Sequence, residues 1–204
     1  MFGAEATDFY RGLLADNTRA YWTVHKDTYE QVVREPMRAL LDRLAPTFDA
    51  EPVLFRPYRD VRFSADKSPY KTQQGGFLQV APGSGYWVQL DSEGVQIGGG
   101  FHAQSRDHTG RYRAAVDDPD TGPQLAVILG RLTGYQVGGE QVATRPRGVP
   151  ADHPRLDLMR RQFLTVARDI PADAFTAAVA RREWTRLRPL ITWIHENVGP
   201  AAGR

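Results

Sequence analysis

The sequence predicts an α+β fold: an antiparallel β-meander sheet flanked by N-terminal and C-terminal helices. Three observations lead to it. Apolar residues recur at helical spacing in the opening third and again from 172 onward. Between them, runs of strand-forming residues are separated by glycine-, proline- and aspartate-containing turns. Neither an internal repeat nor a low-complexity linker divides the 204 residues, so a single domain over 1–204 is the simplest account.

The elements follow in order. Thr7 or Asp8 is placed to cap a first helix bearing Phe9, Tyr10, Leu13 and Leu14, because a short polar side chain accepts from the free N–H groups of a helix start. Asp16-Asn17 ends it, and Asn17 or Thr18 caps a second helix whose apolar face reads Trp22, Tyr29, Val33, Leu40 and Leu44. Pro36 interrupts that face. It lacks an N–H and its ring crowds the preceding turn, so a kink or a fresh start is expected there. Strand formers fill 53–63, and further strands are expected over 77–80 and 86–90, with Pro82-Gly83-Ser84-Gly85 between them. Asp91-Ser92-Glu93-Gly94 is a hairpin turn into a strand over 95–97. Gly98-Gly99-Gly100 should end that strand, at a bulge or a close backbone approach. Ser105 can cap a helix through Val116. Asp120-Thr121-Gly122-Pro123 opens another, with Leu125, Ile128, Leu129 and Leu132 on its buried stripe. Residues 135–144 read as a hairpin around Gly138-Gly139. Asp152-His153-Pro154 leads into a turn or short helix with Leu156, Leu158 and Met159, and a long helix spans 172–197 with Pro189 as a point of restart.

Composition removes several function classes. With 41% hydrophobic and 25% charged residues the chain has a core to build, which argues against wholesale disorder. A net charge of +2 is too small for bulk electrostatics to drive nucleic-acid binding, so nucleic acid is a secondary reading. The absence of cysteine rules out disulfides, thiolate metal sites and a cysteine nucleophile. The first residues lack a basic region followed by an apolar stretch, and no apolar run approaches about 18 residues. Neither a signal peptide nor a membrane span is expected, and a cytoplasmic location is the default.

The most informative stretch is Arg56-Pro57-Tyr58-Arg59-Asp60-Val61-Arg62-Phe63-Ser64-Ala65-Asp66-Lys67-Ser68-Pro69-Tyr70-Lys71-Thr72. It reads as a strand running into a tight polar turn. Serine and aspartate bond their own backbone in such turns, and proline fixes φ, which leaves N–H groups pointing outward for an anion. Arginine adds a planar fork suited to phosphate or carboxylate, lysine a point charge, and Tyr70 a hydroxyl or a stacking face. Arg59, Arg62, Asp66, Lys67, Tyr70 and Lys71 are therefore the candidate ligand-binding residues, for a small phosphorylated or carboxylated ligand. The same residues admit a second reading, in which pairs such as Arg59–Asp60 and Arg62–Asp66 neutralise each other and lock the loop in a structural or protein-interaction role. No catalytic residue is assigned. Neighbouring arginines lower the pKa of Asp60 and Asp66, which argues against proton donation near neutrality.

Other chemistries find no support. The histidines (His25, His102, His108, His153 and His195) include no i, i+4 pair. The glycine runs match neither a phosphate loop nor a dinucleotide fingerprint, and no nucleophile elbow is present. No metal and no cofactor are expected. A second basic cluster, Arg145-Pro146-Arg147-Gly148 with His153 and Arg155, is either a surface loop or a second wall of an anion cleft. Trp22, Trp87, Trp184 and Trp193 sit at periodic positions and read as core.

At the Arg59–Thr72 stretch the chain resembles a bacterial and fungal family of uncharacterised proteins, the domain of unknown function 2461 (DUF2461). The resemblance extends over nearly the whole chain. Leu14-Ala15-Asp16-Asn17-Thr18-Arg19 with Trp22, Lys26, Tyr29-Glu30 and Pro36 is similar to the family's opening helices. Gly98-Gly99-Gly100 and Tyr112-Arg113 are similar to its middle. Arg145, Arg147-Gly148, Asp152-His153-Pro154 and Asp157-Leu158 are similar to its later segment. Tyr21-Trp22 stands where the family has Trp-Phe, and Val149 where an aromatic is usual. The resemblance implies one fold unit with a distinctive basic motif, and it carries no activity or substrate.

Overall fold

The structure, a computed structural model, describes residues 1–200. The first helix, α1 (Ala4–Ala15), starts earlier than Thr7. Gly3 takes the cap position, and the Thr7 hydroxyl instead donates to the Ala4 carbonyl at 2.9 Å. Phe9, Tyr10 and Leu13 are buried as the spacing requires, while Leu14 is exposed. Thr18 caps α2 (Arg19–Tyr29), accepting from the Tyr21 N–H at 3.2 Å. The interruption expected at Pro36 takes the form of a π turn, Glu30–Arg34, which runs straight into α3 (Glu35–Phe48). There the Glu35 N–H reaches back five residues to the Glu30 carbonyl. The wider turn makes room for a proline that can neither donate nor tolerate the carbonyl four residues back.

Six strands form one antiparallel sheet in the order β1-β2-β3-β4-β6-β5. They are β1 (Glu51–Leu54), β2 (Gln74–Ala81), β3 (Ser84–Leu90), β4 (Val95–Phe101), β5 (Gln136–Gly138) and β6 (Leu164–Ile170). The meander β2-β3-β4 stands where its turns place it. In the second turn Asp91 accepts from the N–H groups of Glu93 (2.8 Å) and Gly94 (3.2 Å).

Three expectations for the strands need correction. Gly98-Gly99-Gly100 lies inside β4 rather than ending it. Gly100 has φ +148°, and a Cβ there would stand 2.2 Å from the Leu164 carbonyl oxygen, so glycine serves a close approach to β6. Residues 135–144 form no local hairpin. β5 pairs antiparallel with β6 (Gln136 opposite Ala167, Val137 opposite Val166, Gly138 opposite Thr165), a strand whose alternating Leu164, Val166 and Ile170 are masked by the helical signals on either side. Gly139, at φ +111°, brings its backbone against Phe163. Finally, the strand expected over 53–63 stops at Leu54.

The remaining helices are α4 (Arg106–Asp117), α5 (Thr121–Gly130), the one-turn α6 (Leu156–Met159) and α7 (Ala177–Asn197). Ser105 caps α4 as expected, accepting from the His108 N–H at 3.1 Å. α7 starts at Ala177 rather than 172, after turns closed by Pro171 and Ala172 carbonyls, and it contains Pro189 without a restart. No helix among the described residues is long and apolar enough to cross a membrane.

The chain divides into two compact units. The first comprises Met1–Leu78, Trp87–Ile97 and Asp169–Arg182. Its core is aromatic: Phe9 lies 5.6 Å from Tyr29, and Trp22 lies 4.8 Å from Tyr29. The second comprises Gln79–Tyr86, Gly98–Arg168 and the segment from Glu183 onward. Phe101, Tyr112, Trp184, Leu187 and Ile194 fill it. Its Glu183 is buried, and accepts from the Tyr135 hydroxyl at 2.8 Å and from Arg168 and Arg186 at 3.2 and 3.3 Å.

Candidate functional site

Residues 55–73 are a loop of the first unit, pinned at its neck and tied at its tip. Pro57 has no N–H with which to continue β1. A single bridge forms instead between Tyr58 and Tyr70, framed by Arg59 N–H to Pro69 carbonyl (2.9 Å) and Lys71 N–H to Pro57 carbonyl (2.7 Å). Asn17 clamps the neck from the start of α2, donating to the Tyr70 carbonyl at 3.0 Å and accepting its N–H at 3.2 Å. The Tyr70 ring stacks on Trp22 at 4.2 Å and 8°.

At the tip, side chains satisfy the backbone and one another. Asp60 accepts from the Arg62 N–H and from its guanidinium, at 2.9 Å (Nε) and 2.6 Å (Nη2). Asp66 accepts from the Ser68 N–H at 2.9 Å, the Ser68 hydroxyl at 2.5 Å and the Arg59 guanidinium. Lys67 donates to the Val61 carbonyl at 3.0 Å. The Ser68 hydrogen bonds first, and Arg59 after them, hold the Asp66 carboxyl well below the usual carboxylate range. Arg62 does the same for Asp60. These local bonds compete with a ladder, which is why the residues fold as a loop. The cations thus pair inside the loop with partners exchanged from the sequence expectation: Arg59 with Asp66, and Arg62 with Asp60.

Of the six residues singled out from sequence, Tyr70 is packed, and Arg59, Arg62, Asp66 and Lys67 are engaged within the loop. Lys71 stands apart. Its ammonium lies 5.7 Å from the Phe55 ring centre, with no acidic partner among the described residues, at a hollow of ≈ 380 Å³. Phe55 also lines a groove of ≈ 330 Å³ formed with Lys26, Glu30, Arg34, Arg38, Arg56 and Tyr58. Arg34 is held by Glu30 at 2.7 Å. Arg38 reaches Glu35 only at 4.0 Å. Neither Lys26 nor Arg56 has a carboxylate at ion-pair distance among the described residues.

The helical side of this groove is legible in the spacing. Lys26, Glu30, Arg34 and Arg38 recur every four residues. Each such step overshoots an α-helical turn by about 40°, so the three steps would wind off one face. The π turn at Glu30–Arg34 takes back part of that drift. Buried Gln74 accepts from the Tyr29 hydroxyl at 2.6 Å and donates to the carbonyls of Gly75 and of the groove residue Phe55, each at 2.8 Å. Burial pushes the Tyr29 phenol far up, so it stays a proton donor throughout the physiological range. One amide therefore ties helix, loop and strand together.

The sequence profile described as "Conserved hypothetical protein (DUF2461)" matches residues 5–193 of the chain. The protein belongs to the DUF2461 family. No curated protein matches the chain at a significant level.

The second basic cluster of this DUF2461 member lies in the other unit. His153 is largely buried, with Nε2 at 3.1 Å from Asp117 Oδ1 and Nδ1 accepting the Arg155 N–H at 3.1 Å. The Arg155 guanidinium donates to the Val116 and Asp117 carbonyls at 2.7 and 3.1 Å. These two residues join loop to helix. Arg145 and Arg147 are exposed beside an open cleft.

Proposed function

We propose that this DUF2461 protein binds a small phosphorylated or carboxylated ligand in the groove beside the basic loop. One observation carries the reading: four cations face one carboxylate around a hollow of ≈ 330 Å³, and two of them, Lys26 and Arg56, have no acidic partner among the described residues. Arg56 supplies a planar fork for an oxyanion, Lys26 a point charge, and half-exposed Tyr58 a flat face for the rest of the ligand. Arg59, Arg62, Asp66, Lys67 and Tyr70 act from behind. Their bonds hold the loop in one shape before the ligand arrives, so less ordering is required on binding. Lys71 adds a further positive charge beside Phe55.

Titration calorimetry with inorganic phosphate and with citrate, at fixed ionic strength, tests this. A hydrogen bond to a charged group contributes about 1.5–3 kcal/mol, so Arg56→Ala should weaken binding by ~10-fold or more, and Lys26→Ala similarly. If both variants fold and bind as the parent does, the proposal is wrong.

Single-stranded nucleic acid is the second reading, favoured by exposed aromatic rings beside cations: Phe55, Tyr58 and Phe63, the last 97% exposed with Arg62 6.0 Å from its ring centre. It predicts a steep loss of affinity with added salt, whereas a single small anion gives a shallow one.

A further inference from the structure

The second unit contains a larger opening, of ≈ 660 Å³, that the proposed function does not use. On one side Arg113 projects from α4. Its Nε donates to the Met159 carbonyl at 3.0 Å, while Nη2 is closed off from solvent with no acceptor in the protein. Nη2 therefore faces the protein, and Arg113 meets the cleft with the rest of its side chain and its charge. On the other side stand Arg145 and Arg147, both exposed and with no acidic partner among the described residues. The loop that carries them is fixed at its base, where the Arg160 guanidinium donates to the Val142 and Ala143 carbonyls at 3.2 and 2.9 Å.

The cleft holds one carboxylate, Asp117, and it is already engaged by His153. Because His153 Nδ1 accepts a backbone N–H, its proton sits on Nε2 and points at Asp117. Three guanidinium groups are thus set against one occupied carboxylate. Val142 and Met159 add an apolar surface between them.

We infer that this cleft is a second anion site, built to take the phosphate of a small phosphate monoester whose apolar body rests on Val142 and Met159. The donor count decides between anions. Arg145 and Arg147 each present five N–H groups, Arg113 adds a third positive charge with its Nε held by Met159, and a carboxylate has only two oxygens to meet them. A phosphate monoester brings three terminal oxygens and nearly two negative charges at neutral pH.

The test is done on the full chain carrying Arg56→Ala and Lys26→Ala, so that the groove of the first unit cannot contribute. Phenyl phosphate and phenylacetate are titrated calorimetrically at fixed ionic strength. Phenyl phosphate should bind at least about 10-fold more tightly than phenylacetate, and adding Arg145→Ala with Arg147→Ala should weaken it by a further ~10-fold or more. Both positions are exposed, and circular dichroism is used to check that the fold is kept. The inference is overturned by any of three results: no phenyl phosphate binding in the starting variant, equal binding of the two probes, or affinity unchanged when the two loop arginines are removed. Failure of the first-unit groove is read separately, from the parent against its Arg56→Ala and Lys26→Ala variants.

Discussion

Replacing Gln74 with leucine should loosen the tie between helix, loop and strand beside Phe55 at a cost of about 3 kcal/mol. Gln74 is 1% exposed. Leucine keeps most of its volume and removes three hydrogen bonds: the Tyr29 hydroxyl at 2.6 Å and the Phe55 and Gly75 carbonyls at 2.8 Å each. The Gly75 carbonyl keeps the Phe55 N–H at 3.1 Å, so two groups are stranded, the Tyr29 hydroxyl and the Phe55 carbonyl. A stranded buried polar group costs about 1–3 kcal/mol, which gives about 2–6 for the pair. Phe55 itself is 44% exposed, so water near its carbonyl places the expectation in the lower half of that range. Tyr29→Phe strands only the Gln74 side-chain oxygen and should cost about 1–2 kcal/mol. The double variant leaves neither of these two side chains stranded by the other. It should therefore cost less than the sum of the single changes, by about 1 kcal/mol. Urea unfolding followed by tryptophan fluorescence measures all three. A Gln74→Leu protein within about 0.5 kcal/mol of the parent, or strict additivity in the cycle, refutes the reasoning.

Three further outcomes follow from the geometry. Gly100→Ala puts a Cβ 2.2 Å from the Leu164 oxygen at φ +148°, so it should lose more than about 2 kcal/mol, and an unchanged melting temperature contradicts the close β4–β6 approach. Asp66→Ala releases Arg59 and Ser68, so amides in 60–68 should exchange with solvent about 10-fold faster while global unfolding barely shifts; unchanged exchange means that the loop is held by something else. Because the folded Asp66 carboxyl sits well below its ordinary 3.8, its contribution is complete above that value and is lost only as pH falls through the lower folded one. His108 behaves in the opposite sense. Burial first, and Arg111 second, hold its imidazole below the ordinary 6.5, so the folded chain takes up this proton less readily than the unfolded one. Below pH 6.5 the unfolded chain takes up a proton that the folded chain refuses, and stability should drop as pH falls, measured as the urea midpoint. A His108→Gln protein that retains the same drop shows that another group is responsible.

Local structure is legible in the sequence, and non-local structure is hidden. Thr18 and Ser105 cap helices because their bonds are to residues three positions away. The β2-β3-β4 meander is legible because its turns lie inside it. β5 is the opposite case. Val137 pairs with Val166, far along the chain, and no local signal connects them. The basic loop shows the same division. Its charges are readable, but which aspartate meets which arginine depends on where the strand stops, and Pro57 stops it early. The helical wall of the groove is in plain sight as Lys26, Glu30, Arg34 and Arg38. A four-residue charge stripe reads equally well as solvated ion pairs, though, and only the π turn and the position of Arg56 turn it into one side of a hollow.

The most direct test of the central claim is to soak crystals of the protein in sodium selenate and record anomalous diffraction at the selenium edge. An oxyanion peak within hydrogen-bond reach of both Arg56 and Lys26 is the expected result. A map with no peak at those two side chains, in a lattice that leaves the groove open to solvent, contradicts it.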